Sequence, residues 1–110
     1  MIASLYARTF DAYNKHFSNR QKDNEMFLMA QQNYFNDRLN AVGYVFLNDV
    51  YETLGFERTA RGQLVGWFKE ERSNPIDFGI NEIGADDLNG PAFTLNFNPD
   101  GVIYHKLPNI

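Results

Sequence analysis

The sequence has no cysteine among its 110 residues. Disulfide staples and thiolate metal sites are therefore excluded, and the absence fits a reducing compartment. It has only two histidines, His16 and His105, and three serines, Ser4, Ser18 and Ser73. With so few His and no Cys, a zinc site would have to join both histidines to carboxylates from opposite ends of the chain. No serine stands in a G-x-S-x-G elbow, which excludes the usual hydrolase nucleophile. No glycine run has phosphate-cradling spacing: "GFERTARG" at 55–62 has neither a Lys-Ser/Thr ending nor a G-x-G-x-x-G pattern. Excess positive charge is missing too. The net charge is −4, against the basic footprint that phosphate backbones require. The only concentrations of basic residues are short: Arg20 with Lys22, Arg58 with Arg61, and Lys69 with Arg72. No apolar run approaches the roughly 20 residues of a membrane span, and "MIASLYARTF" lacks the basic-then-apolar order of a secretory signal.

What is present is an aromatic-rich chain: 15% of residues are Phe, Tyr or Trp and 44% are hydrophobic. A disordered chain would not carry that load. The length fits one domain, residues 1–110, burying about two-thirds of its unfolded surface without staples.

The first half reads as helical. Across 24–42, Phe27, Leu28, Tyr34, Phe35, Leu39 and Val42 recur at helical spacing, with Asp23 or Asn24 to cap the start and Gly43 to stop it. A second helix is expected in "YVFLNDVYETLGF", where Phe46, Leu47, Val50, Tyr51 and Leu54 form a stripe ended by Gly55. Gln31, Gln32, Asn36, Asp37, Asn48, Asp49 and Glu52 fall off these stripes and read as a solvated face. After Gly55 the period changes. "QLVGWFKEE" at 63–71, "PIDFGI" at 75–80 and "AFTLNF" at 92–97 read as strands. "NPDG" at 98–101 is turn chemistry that would return "VIYHK" as a hairpin partner. "SNP" at 73–75 is a second turn and "GADDLNGP" at 84–91 a looser loop. The first twenty residues are compatible with a helix lined by Leu5, Tyr6, Thr9, Phe10, Tyr13 and Phe17, or with a strand in "YARTFD". The pattern gives an α+β fold, two main helices packed on a small, mostly antiparallel sheet of three to five strands. Its expected core is Phe27, Leu28, Phe35, Leu39, Phe46, Val50, Leu54, Val65, Trp67, Phe78, Phe93, Leu95, Phe97 and Ile103.

Few groups offer chemistry. Asn96, Asn98, Asp100 and Gly101 fit part of a calcium loop, but the first ligand is Asn rather than Asp and the closing acid would fall at Leu107, so a turn is expected. Asp49 with Glu52, Glu70 with Glu71, and Asp86 with Asp87 are paired acids that the pattern turns toward water, where general acid–base work is disfavoured. No catalytic residue, cofactor or metal is expected. Arg58 and Arg61, with Trp67 and Phe68 downstream, are the residues to test as a partner-binding surface, because Arg and aromatic side chains anchor interfaces. Arg side chains lying over a core edge are the more common explanation of such a set.

An ordered series of segments carries a resemblance: "YARTFD", "FLMAQQNYFNDRL", "G-x-V-F-L-N-D-V-Y-E-x-L-G", "R-T-x-x-G-Q-L-V-G-W", "IDFGI" and "LNFNPDGVIY". From Tyr6 to about Lys106 the chain resembles the C-terminal domain of an uncharacterised family encoded by bacteriophages of Gram-positive bacteria. The resemblance implies a viral origin, carries no catalytic residues, and favours an extended "YARTFD". Longer relatives place apolar segments ahead of the domain; none is seen here, so no membrane partner is expected. The expectation is a non-enzymatic virion-associated structural or accessory protein, in the virion or host cytoplasm, that binds a phage or host protein or a second copy of itself. The alternative is a small acidic regulator or inhibitor of a host protein, using Asp37, Asp49, Glu52, Glu70, Glu71, Asp86 and Asp87 to mimic phosphate.

Overall fold

The computed structural model describes residues 5–71, 74–84 and 91–107. Helix α1, Gln21–Val42, buries Leu28, Phe35 and Leu39, while Phe27 is half-buried and Tyr34 and Val42 lie outside the core. It ends where expected: Gly43 takes φ 99° and returns its N–H to the Leu39 carbonyl at 2.8 Å. It starts earlier than expected. Arg20 holds the cap position without a side-chain capping bond. Asn24 sits inside the first turn and reaches back, accepting from the Ser18 N–H (2.7 Å) and donating to the Ser18 carbonyl (2.8 Å).

The expected second helix divides. Tyr44–Phe46 is strand β2, and helix α2 covers only Leu47–Leu54. "YVF" is two aromatics around a β-branched residue, and pairing with a neighbouring strand overrides the helical period there. Within α2, Leu47, Val50, Tyr51 and Leu54 are buried at i, i+3, i+4 and i+7.

Among the described residues, six short strands form two antiparallel three-stranded sheets rather than one. In the first sheet β5 (Ala92–Leu95) lies between β1 (Arg8–Phe10) and β4 (Asn81–Ile83), with Phe10 opposite Phe93 and Glu82 opposite Phe93. In the second, β3 (Val65–Phe68) lies between β2 and β6 (Gly101–Val102). The extended reading of "YARTFD" therefore holds for β1. The expected strand at 63–71 shortens to β3 between two 3₁₀ turns, Arg61–Gln63 and Lys69–Glu71. Gly66 lets β2 and β3 close up, since a Cβ there would run into the Val45 carbonyl and the Phe46 Cα.

Two strand expectations are corrected. Among the described residues, 75–80 pair with no strand; side chains take the N–H groups of Ile76, Asp77, Phe78 and Gly79. "NPDG" closes no hairpin: it carries the chain from β5 in the first sheet to β6 in the second, which pairs with β3 at Val65↔Val102. After Val102 the chain enters a 3₁₀ turn, Tyr104–Lys106, in place of the longer strand. The loop at 84–91 lies largely outside the described residues, as does Ser73 of "SNP".

One core joins these elements. Trp67, Tyr51, Phe10, Phe35, Phe78, Phe93 and their aliphatic neighbours are fully buried. Phe46, expected inside, is half-buried, and Phe10, Val45, Leu47, Tyr51 and Ile76 join the core. Among the described residues no helix is long and apolar enough to cross a membrane.

Candidate interaction surface

The four residues singled out in the sequence go to different places. Arg58 is exposed and its guanidinium lies 2.7 Å from the Glu52 carboxylate. Arg61 is exposed at the start of the 3₁₀ turn leading to β3. Trp67 is fully buried, and its indole N–H donates to Asn98 Oδ1 at 3.0 Å. It belongs to the core and offers nothing to an outside partner. Phe68, one residue on, is half-buried on the opposite face of β3.

That opposite face carries an aromatic surface. Residues directly across an antiparallel pair project from the same side. Tyr44 lies opposite Phe68, and Phe46 opposite Gly66, which lies opposite Gly101. Tyr44, Phe46 and Phe68 therefore share a face floored by two glycines, while Val45, Val65 and Trp67 point into the core. The Tyr44 and Phe46 rings meet edge to face, 5.7 Å between centroids. The Phe68 N–H donates to Asp100 Oδ2 at 2.8 Å, which fixes the end of the strand. At the β6 edge the Leu64 carbonyl accepts from the Ile103 and Tyr104 N–H groups, and Leu64, Val102 and Tyr104 are exposed there. The sequence signal for this face was the Y-x-F of β2 together with G-x-F of β3. The helical spacing that runs through "YVFLNDVYETLGF" masks it in the sequence.

The amide-rich rows are not a solvated face, and this corrects the expectation for Gln32, Asn36 and Asn48. Asn48 is 3% exposed and grips one residue of the loop after α2, donating to the Thr59 carbonyl (2.8 Å) and accepting from its N–H (2.9 Å). Asn36 does the same for Ile76, at 3.0 and 2.7 Å. Gln32 Oε1 accepts from the Phe78 N–H at 2.8 Å. These side chains replace a strand partner for backbone that has none.

The partial calcium pattern resolves in the same way. Asn98 Oδ1 accepts from Trp67 Nε1 and from the Asp77 N–H (2.8 Å), its amide nitrogen donates to the Pro75 carbonyl (3.2 Å), and Asp100 caps Phe68. These oxygens serve the fold. His16 stacks on Phe27 of α1 with centroids 5.2 Å apart, whereas His105 lies in the 3₁₀ turn after β6. Among the described residues no three His, Asp or Glu side chains gather as a metal would need.

The paired acids Asp49 and Glu52 do share an open recess of about 180 Å³ between α1 and α2, with Tyr34, Phe35, Arg38 and Thr53. Arg38 and the Arg58 paired to Glu52 balance its charge. Of the basic set, Arg58 pairs with Glu52, Lys69 Nζ donates to the Asn40 carbonyl at 3.1 Å, and Arg61 is exposed. Asp86 and Asp87 lie outside the described residues.

The arrangement thus offers an aromatic contact face on the outer side of the second sheet. No curated protein matches this chain, and no solved structure matches it. One family model does match, over residues 2–107, which is nearly the whole sequence. On that span the chain belongs to a family of unknown function, DUF6353.

Proposed function

We propose that this is a non-enzymatic bacteriophage protein that works through protein–protein contact, as a virion-associated structural or accessory component. The observation that carries the contact reading is the half-buried aromatic triplet Tyr44, Phe46 and Phe68 on the outer face of the second sheet. Aromatic side chains offer large contact area at small entropic cost and are enriched at interface centres. Arg61, Leu64 and Tyr104 extend the surface toward the β6 edge. The viral part rests on the ordered segments from "YARTFD" to "LNFNPDGVIY" and their resemblance to phage-encoded proteins. The acidic-regulator reading gains no comparable support, because Asp49 and Glu52 sit among arginines.

Quantitative mass spectrometry of purified particles tests the virion part. Many copies per particle support it; presence in infected cells with absence from particles overturns it. The contact face has its own test. A Tyr44→Ser, Phe68→Ser variant is expected to lose incorporation into particles while keeping a cooperative melt. Unchanged incorporation would move the interface elsewhere.

A further inference from the structure

A second surface lies on the other sheet and differs in character. Helix α1 presents Gln21, Glu25, Met29 and Gln32 at i, i+4, i+8 and i+11, which is one face of the helix. Opposite that face stand Asp77, Ile80 and Glu82. Two open recesses, of about 270 and 260 Å³, meet at Glu25 and form one trough between α1 and β4. Only its Gln32 end has an apolar floor, where Met29 is 51% exposed and Ile80 packs on the edge of the core; the Gln21 end is lined by polar side chains.

The wall of this trough is a sheet edge. The first sheet runs β1-β5-β4, so among the described residues β4 pairs on one side only. Glu82 is opposite Phe93, and Phe93 is buried in the core; the Glu82 side chain therefore belongs to the sheet's inner face. The trough is the space over α1 into which that inner face would continue if a fourth strand were present.

Charge decides which strand fits. Three carboxylates, Glu25, Asp77 and Glu82, border the trough against the single ammonium of Lys22, which stands 3.6 Å from Glu25 on the exposed helix surface. Such exposed pairs are worth roughly 0–1 kcal/mol and yield readily to another cation. Asp77 Oδ1 also accepts from the Gly79 N–H at 2.7 Å, which fixes its carboxylate at the rim. An inward-facing acid on an edge strand discourages pairing with a like edge. A second copy's β4 would set Glu82 against the same acids, so self-pairing here is disfavoured. An extended segment with apolar residues toward Met29 and Ile80 and Lys or Arg toward the rim satisfies both backbone and charge.

We infer that the trough between α1 and β4 receives an extended basic segment of another protein, which adds to the first sheet as a fourth strand. This goes beyond the aromatic face, on the other sheet, and stands without it.

The test titrates isotope-labelled full chain with a short synthetic peptide of alternating Lys and Val, and in parallel with its Glu–Val counterpart. Amide shifts are expected at Asn81–Ile83 and along 21–32. The Lys–Val peptide should bind about tenfold tighter than the acidic one, and its affinity should fall severalfold between about 0.05 and 0.3 M salt. Glu25→Gln with Glu82→Gln should weaken it severalfold without changing the melting temperature. Shifts absent from β4, shifts confined to Tyr44–Phe68, or equal binding of the two peptides would each overturn the inference.

Discussion

At the scale of single residues, Tyr51 shows how burial becomes a measurable pH response. It is fully buried on α2, its hydroxyl donates to the Tyr6 carbonyl at 2.7 Å, and the Arg8 guanidinium lies over its ring, 4.5 Å from the centroid. Burial pushes the Tyr51 hydroxyl above its ordinary pKa, because the phenolate would lose its water; the Arg8 charge opposes this only in part. The sign follows from proton counting. Above pH 10 the unfolded chain releases this proton while the fold retains it, so the native state binds more protons and stability falls as pH rises. The contribution is complete below pH 10 and is lost as pH rises through the folded-state value. Tyr51→Phe removes both the hydroxyl bond, worth about 1 kcal/mol, and this dependence. Urea midpoints of the two proteins should therefore differ most at neutral pH and converge in alkali. A constant gap from pH 8 to beyond 10 would show that Tyr51 does not titrate as its burial requires.

At the scale of elements, the segment 75–80 departs most from what its sequence pattern implies. Ile76, Phe78 and Ile80 alternate as a strand should, and the first two are buried. That much was legible, because alternation sets which residues face inward whether or not a ladder forms. The missing ladder was not. Four consecutive N–H groups go to side chains: Ile76 to Asn36, Asp77 to Asn98, Phe78 to Gln32 and Gly79 to Asp77. Asn36 and Ile76 are 40 residues apart, and nothing local in "QQNYFND" shows which amide reaches a distant backbone. The aromatic face was hidden for a related reason: "YVF" borders a true helix, and only its pairing with β3 separates β2 from α2. The helix stops at Gly43 and Gly55 and most of the core were readable because they depend on neighbours in the chain. Hydrogen exchange checks the side-chain ladder. The Ile76 and Phe78 amides should be protected to the same degree as those of β5, although they belong to no sheet. Asn36→Ala leaves the Ile76 N–H and carbonyl without these partners. It should cost about 1–3 kcal/mol and speed exchange at 76–79 first. Fast exchange of these amides in the parent protein would refute the ladder.

At the scale of the whole molecule, two small sheets of short strands must behave as one body without a disulfide. The crossing from β5 to β6 ties them. Phe97 packs edge to face on Phe78, 5.3 Å between centroids, and on Tyr51, 5.7 Å. One residue later Asn98 Oδ1 takes the Trp67 indole N–H from the second sheet and the Asp77 N–H from the segment along α1. The Asp100 N–H donates to the Gly66 carbonyl at 2.8 Å. Three residues, Phe97, Asn98 and Asp100, thus touch the second sheet, α2 and the chain lying on α1. Loosening any of these exposes part of the same core, and that shared burial is the physical basis of cooperative unfolding. Trp67 is the only tryptophan, so its fluorescence reports the second sheet, while circular dichroism reports mainly α1. The two signals should lose structure at one urea midpoint, with a slope of about 1–3 kcal/mol per molar. Asn98→Ala should shift both midpoints downward together, because it frees the indole and the Asp77 N–H in one step. If Trp67 fluorescence instead changed at lower urea than the helix signal, the sheets would be separate folding units and the Asn98 junction would be local.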